Sequence, residues 1–345
     1  MNRSKTQLNR ITIVLLLVFF HLSAAPAQTP ILNATEIANT LTAYTGEGNF
    51  FEHELVGQIA KSGQSKNIFQ ELETKADNPQ LRARIFVLKA FVLYYEDVRP
   101  DQNVQGEHRA SSVVKAEILA LYAKAMNEAY VSGDDRLITK TSLAYGQMCL
   151  ALKELELAVT YTMNGLELNE ERGIENSPYD YMVVGEIFYK IREYNECVKN
   201  SIKAFKIWES GREKADTIRM LFTSNTAALG YHRQQQYDSA FFWYNISLKM
   251  ADALKTNVWR GIISGNMGQI HYEQKQYDTA LALFRTDYKF SIEDKLFDNA
   301  ANSLQWAAST QLRLGNHATA LQYLREALAL LKNTPEMFYL RNSYN

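Results

Sequence analysis

One spaced pattern recurs along the second half of this chain and limits what it can fold into. In the stretch Gly261–Ser291, small Gly268 lies nine residues before Tyr277, which is followed by Ala280, Leu281, Phe284 and Tyr288. The template returns as Gly146 before Leu155, Ala158, Val159, Thr162 and Leu166, and as Gly185 before Tyr194, Cys197, Val198, Ser201 and Phe205. It returns again as Ala228 before Tyr237, Ala240, Phe241, Tyr244 and Leu248, and as Ala308 before His317, Ala320, Leu321, Leu324 and Leu328. Successive anchors at 155, 194, 237, 277 and 317 are 39, 43, 40 and 40 residues apart. A fixed period in this range belongs to repeat architectures, in which each unit buries its apolar face only by stacking on its neighbours.

Within a unit, the second half places small or apolar residues at i, i+3, i+4, i+7 and i+11, which is one face of a helix. Ile263, Met267 and Ile270 put the first half on the same period. Two or three polar residues, such as Gln234-Gln235-Gln236 or Lys275-Gln276, separate the halves. A linker that short predicts an antiparallel pair, and the small residues let the two backbones approach closely.

These units resemble tetratricopeptide repeats. In that family a small residue on the first helix is followed, on the second, by Ala and an aromatic four residues later. Tyr237-x-x-Ala240-x-x-x-Tyr244 and Tyr277-x-x-Ala280-x-x-x-Phe284 carry that pattern, and the likeness extends from about Asp134 to Lys332. The family's usual period is about 34 residues, so a period near 40 implies longer helices. Ser142, Tyr181, Ser224, Ser264 and Leu304 stand where the family has a first-helix Trp, and Cys197 replaces one second-helix Ala. The implied fold is all-α, a right-handed α-solenoid of antiparallel helix pairs. Five repeats span 134–332, preceded by a degenerate helix pair at 78–133 and weaker capping helices at 28–77. Residues 333–345 read as a capping helix or the start of a further repeat, opened by Thr334-Pro335 and followed by Met337, Tyr339, Leu340 and Tyr344. On that second reading the chain is a truncated piece of a longer protein.

Start signals mark several helices. Asn78-Pro79 and Ser177-Pro178 each place a capping side chain before a proline in the first turn. Cys149 and Cys197 fall at core-facing template positions on different helices and read as core thiols, with a disulfide as the alternative.

The first 27 residues are of another kind. Arg3, Lys5 and Arg10 precede the apolar run Ile11–Phe20, and Ala25-Pro26-Ala27 supplies small residues for cleavage after Ala27. This is the pattern of a secretory signal peptide, so an exported, periplasmic or secreted product is expected. An uncleaved N-terminal anchor is the alternative. No Cys follows the apolar run before Cys149, which excludes a bacterial lipoprotein anchor. No transmembrane helix is expected after signal cleavage.

Chemistry-bearing motifs are lacking. His53-Glu54 begins like H-E-x-x-H, but Gly57 stands where the second imidazole is needed, so no metal site is expected. Gly46-x-Gly48 lacks the third glycine of a dinucleotide fingerprint. The six His are scattered, with His271 and His317 at template positions filled elsewhere by aromatics. No catalytic residue, cofactor or metal is assigned. With 37 Lys and Arg against 38 Asp and Glu there is no basic footprint for nucleic acid.

A binding surface is what remains. Stacked pairs curve, and their first helices line the concave side. In this register the residues expected there are Tyr179, Met182, Glu186, Phe222, Asn225, His232, Arg233, Gln269, Tyr272, Asn302, Gln305 and Arg313. Aromatics mixed with amides suit an extended peptide or a helix. The Lys/Asn clamp with which chaperone-binding relatives hold a C-terminal carboxylate is missing, since Leu143, Met182, Asn225 and Gly265 occupy the positions of one of its lysines. The signal peptide and elongated repeats also resemble the extracytoplasmic regions of membrane-bound bacterial regulators of the histidine-kinase or helix-turn-helix type. Three readings follow: an exported protein-binding scaffold, the truncated sensor region of such a regulator, and an enzyme of helical toroid architecture. The first is preferred, and its partner is a protein or peptide.

Overall fold

A computed structural model describes residues 33–43, 53–98, 111–211 and 216–331. The leader at 1–27 and the Thr334–Tyr344 pattern lie outside the described residues, as do Gly46-x-Gly48 and the His53 and Glu54 side chains. All regular structure among the described residues is helical. In chain order the helices are α1 (Ala34–Ala43), α2 (His53–Lys61), α3 (Ser65–Lys75), α4 (Pro79–Leu93) and α5 (Ser111–Ser132). Then come α6 (Asp135–Ala151), α7 (Leu155–Arg172), α8 (Pro178–Lys190), α9 (Tyr194–Glu209) and α10 (Thr217–Arg233). The last are α11 (Tyr237–Ala253), α12 (Asn257–Glu273), α13 (Tyr277–Glu293), α14 (Phe297–Arg313) and α15 (His317–Leu331). No described helix is long and apolar enough to cross a membrane.

The described residues up to Glu193 form one compact unit and those from Tyr194 onward a second. In the first, α1, α2 and α3 lie against α4, which pairs with α5, and α6 pairs with α7. The start signals act as their chemistry predicts. Asn78 accepts the Leu81 N–H at 2.8 Å; Asp134, not among the expected start signals, caps α6 in the same way, accepting the Leu137 N–H at 3.0 Å. Ser177 and Asp180 form a reciprocal capping box at the start of α8. A single π-turn, Tyr94–Val98, prolongs α4. Tyr122, Tyr145 and Tyr161 stack in series at centroid separations of 4.8 and 3.9 Å, tying α5, α6 and α7 together. Burial drives the Tyr145 hydroxyl up and is the main cause of the Cys149 thiol lying at about 12. Cys149 and Cys197 are both buried free thiols.

The second unit is more regular than the 40-residue period alone implies. Helices α10 to α14 are each 17 residues long, and starts fall at 217, 237, 257, 277, 297 and 317. Every connection between them is a three-residue turn. In each turn the middle residue adopts the left-handed conformation: Gln235, Lys255, Lys275, Lys295 and Gly315. The following amide then reaches back five residues, as in Gln276 N–H to His271 O at 2.8 Å and Leu296 N–H to Ser291 O at 2.7 Å. This is the Schellman closure, which satisfies the last carbonyls and turns the chain sharply enough to pack consecutive helices antiparallel. Added helical turns, with the connections kept minimal, account for a period longer than the family's.

The template residues form the core. Ala240, Ala280 and Ala320 are fully buried, as is Ala228. A β-carbon on Gly268 would come within 2.9 Å of the Phe284 ring, so this crossing needs glycine. Ala280, Leu281 and Phe284 of α13 pack with Ala307 of α14, and Tyr272, Trp306 and Tyr323 lie against them. Each fully buried side chain of this size contributes roughly 1.5–3 kcal/mol.

Candidate functional site

The first helices of the second unit are α10, α12 and α14. Neighbouring members interact directly, and the contacts repeat at about the repeat period. Phe222 of α10 meets Trp259 of α12 edge to face at 6.2 Å. Asn266 Nδ2 donates to Asn225 Oδ1 at 3.3 Å, and His232 Nε2 lies 3.0 Å from Glu273 Oε2. One step along, Arg313 Nε of α14 donates to the Tyr272 hydroxyl at 3.1 Å, while the Tyr272 and Trp306 rings meet at 5.6 Å. Tyr237 donates to Glu273 Oε2 at 3.2 Å. Burial alone raises the Glu273 carboxyl, but the bonds from His232 and Tyr237 and the nearby Arg233 charge outweigh it and hold the group below its ordinary value.

These contacts correct the expectation of an open face for several residues. Met182, Phe222, Asn225, His232 and Gln269 are buried. In α10 and α12 the reason is close stacking of successive first helices, which turns positions facing away from the paired helix into helix–helix contacts. Tyr179, Glu186, Arg233, Tyr272, Asn302 and Gln305 are half-buried, and Arg313 is exposed. Tyr179, Met182 and Glu186 lie on α8 in the first unit, where the Tyr179 hydroxyl donates to Gln147 Oε1 at 3.1 Å. Burial raises the Glu186 carboxyl, with Lys190 opposing.

The accessible face belongs to α14. Asp298, Asn302, Gln305, Ser309 and Leu312 follow one another at steps of four and three and are all at least partly exposed. Beside them, Trp306 stacks on Phe284 at 5.7 Å and, with Tyr272 and Arg313, forms an aromatic and cationic corner. Trp306 was not among the expected residues, because the equivalent positions Asn266 and Thr226 carry no aromatic to flag it. On α10, Thr223 Oγ1, Asn225 Nδ2 and His232 Nδ1 are enclosed and have no hydrogen-bond partner among the described residues.

A second buried polar centre lies between α12, α13 and α14. Asp287 accepts from Ser303 Oγ at 2.6 Å, Asn299 Nδ2 at 2.8 Å and Ser291 Oγ at 3.2 Å. Burial lifts its carboxyl to about 6 against the pull of those three donors. Ala280, Phe284, Asp287 and Ser291 share one helical stripe, so an acid in the apolar register was the available signal. No group of three or more His, Cys, Asp and Glu side chains among the described residues is placed to hold a metal ion.

No family model matches the chain, and no curated protein matches it. Solved structures do. The apo form of RapI is 16% identical, with 78% of this chain and 92% of that one covered and a TM-score of 0.56. The apo form of the quorum sensor NprR from B. thuringiensis is 15% identical over 82% and 76% of the two chains, with a TM-score of 0.59. A Rap protein complexed with competence and sporulation factor is 14% identical over 87% and 78%, with a TM-score of 0.57. At these identities the likeness is one of fold, and the fold is the tetratricopeptide-type helical repeat.

Proposed function

We propose that this chain is an exported scaffold that binds a peptide or an extended protein segment along the first-helix face where α12 and α14 leave it accessible. The observation that carries the reading is the accessible face of α14, where Asn302 and Gln305 lie three residues apart beside the corner formed by Tyr272, Trp306 and Arg313. A peptide backbone offers both donors and acceptors at regular intervals. Asn302 and Gln305 add amides that pair with either, and the Tyr272, Trp306 and Arg313 corner suits an aromatic or acidic side chain. Fold neighbours support the choice of ligand class: NprR has been solved in complex with its cognate peptide NprX. Export rests on the charged, apolar and small-residue leader at the start of the sequence.

The test is selection from a random heptapeptide phage library on the chain beginning at Gln28, followed by fluorescence-polarisation titration of the enriched peptides. Asn302→Ala combined with Gln305→Ala should weaken binding at least tenfold without change in the far-ultraviolet circular dichroism. Failure to enrich any sequence, or equal affinity in the double variant, rejects the proposed face.

A second reading is that the scaffold is the extracytoplasmic sensor of a bacterial regulator. It is supported by the leader together with the fold shared with a quorum sensor. Immunoblotting of fractionated source cells separates the two. A soluble band at the mass of the processed chain supports the free scaffold, and a much larger membrane-bound band supports the sensor.

A further inference from the structure

The arginines of the second unit are engaged in different ways. Arg219 and Arg260 face carboxylates, Asp216 at 3.3 Å and Asp252 at 2.6 Å. Arg285 meets a tyrosine, and its Nε and Nη2 both donate to the Tyr323 hydroxyl, at 3.2 and 2.9 Å. Arg313, the last residue of α14, is held by Nε alone, which donates to the Tyr272 hydroxyl at 3.1 Å. Tyr272 is itself fixed edge to face by Trp306 at 5.6 Å and Tyr277 at 5.7 Å. A guanidinium is planar, so one anchored Nε–H sets the direction of the fork made by its two terminal nitrogens. Neither terminal nitrogen has a partner among the described residues, and no carboxylate there pairs with the charge. The side chain is exposed, while Tyr272 and Trp306 beside it are half-buried.

We propose that the Arg313 fork, walled by Tyr272 and Trp306, is a carboxylate-binding subsite, and that the peptide of the α14 face carries the carboxylate. The second half of this statement rests on the reading of α14 as a peptide-binding face. A carboxylate accepts both fork N–H groups at once, with charge assistance that a neutral amide carbonyl lacks. An exposed ion pair alone gains little in water. Here the fork is already oriented by Tyr272, and the aromatic walls keep water from one side of the pair. Gln305, Ser309 and Arg313 follow one another at steps of four on α14. At 1.5 Å per residue, about 12 Å separates Gln305 from Arg313. An extended chain spans that distance in roughly four residues. The carboxylate therefore lies that far along the peptide from the unit that pairs with Gln305, as an acidic side chain or as the C-terminus. The subsite is not the Lys/Asn clamp, one of whose lysine positions carries Leu143, Met182, Asn225 and Gly265 in this chain.

Arrays of random N-acetylated heptapeptides, made once as C-terminal acids and once as amides, test this with the chain beginning at Gln28. Bound amides that carry Asp or Glu would assign the carboxylate to a side chain. Bound acids that carry neither would assign it to the C-terminus, and both results support the subsite. Replacing that carboxylate by its amide should weaken binding at least tenfold, read by fluorescence polarisation. In Arg313→Gln the same replacement should matter less than twofold. Arg313→Lys should recover little, because a point charge lacks the fork. Tyr272→Phe, which frees Nε, should weaken the carboxylate peptides severalfold and leave their amides unchanged, a contrast that lost packing would not give. Peptides that bind without a carboxylate, or equally well to Arg313→Gln, would overturn the subsite and leave the scaffold reading in place. An array with no bound peptide rejects the scaffold reading, and titration of the isotope-labelled chain with N-acetylglutamate then decides on the fork alone. A shift of the Arg313 Nε–H resonance that N-acetylglutamine does not produce supports a carboxylate site, and no shift overturns it.

Discussion

A β-carbon on Gly265 would lie 2.3 Å from Oδ2 of Asp287, so the glycine of α12 and the buried acid of α13 occupy one shared space. Gly265→Ala gains helix propensity of about 1 kcal/mol. It also forces the acid away from its three donors, at a cost of about 1–3 kcal/mol for overpacking plus the lost hydrogen bonds. The net expectation is destabilisation. Adding Asp287→Ala should relieve the overlap, so denaturant titration of both single variants and the double should show strong coupling. Additive effects would mean the two residues do not share the space.

The same acid sets a pH dependence. Its folded pKa is raised from 3.8 to about 6, so between those values the native state binds the proton and the unfolded chain does not. Stability therefore falls as pH rises through that window and levels off above it. The linkage relation puts the loss at about 3 kcal/mol at most. Asp287→Asn should flatten the chemical-denaturation midpoint between pH 4 and 6.5, and an unaltered slope would contradict the assignment.

Phe222 is buried against Trp259, so Phe222→Ala should unfold before it reports on binding. A loss of about 3–5 kcal/mol is expected from truncating a core aromatic. Thermal denaturation checks it. A variant as stable as the parent would return Phe222 to the accessible face.

In the first unit, Lys140 Nζ and Asp180 Oδ2 form an ion pair at 2.5 Å with both side chains nearly enclosed. Lys140→Met should cost about 3–5 kcal/mol by stranding the carboxylate. The double variant with Asp180→Asn should recover part of that, a contrast that urea titration resolves.

Lys275 holds a left-handed backbone, φ 63°, between α12 and α13. Lys275→Gly should stabilise the fold by about 0.5–1 kcal/mol, since glycine alone enters that region freely. Calorimetry should show a rise of a few degrees in Tm. A fall would mean the lysine side chain holds the turn.

Much of this architecture is legible in the residues themselves. The spacing from Gly268 to Tyr277 to Phe284, repeated along the chain, determines helix pairs, their partners and the tetratricopeptide-type stack, because helical periodicity records which side chains must leave water. The caps at Asn78 and Ser177 and the polar turns act locally, within reach of a few bonds, and so are readable too. What the period cannot state is how closely one pair lies against the next. That distance depends on left-handed turn residues such as Lys275 and on small residues such as Gly265, acting together in three dimensions. It buries Phe222, Asn225 and Gln269, leaves Asn302 and Gln305 accessible, and brings Tyr272, 41 residues away in sequence, to the Arg313 guanidinium. It also encloses Asp287 among donors from two helices. Which polar side chains stand open to a ligand was decided by tertiary packing, because exposure is a property of neighbouring helices rather than of one helix's own sequence.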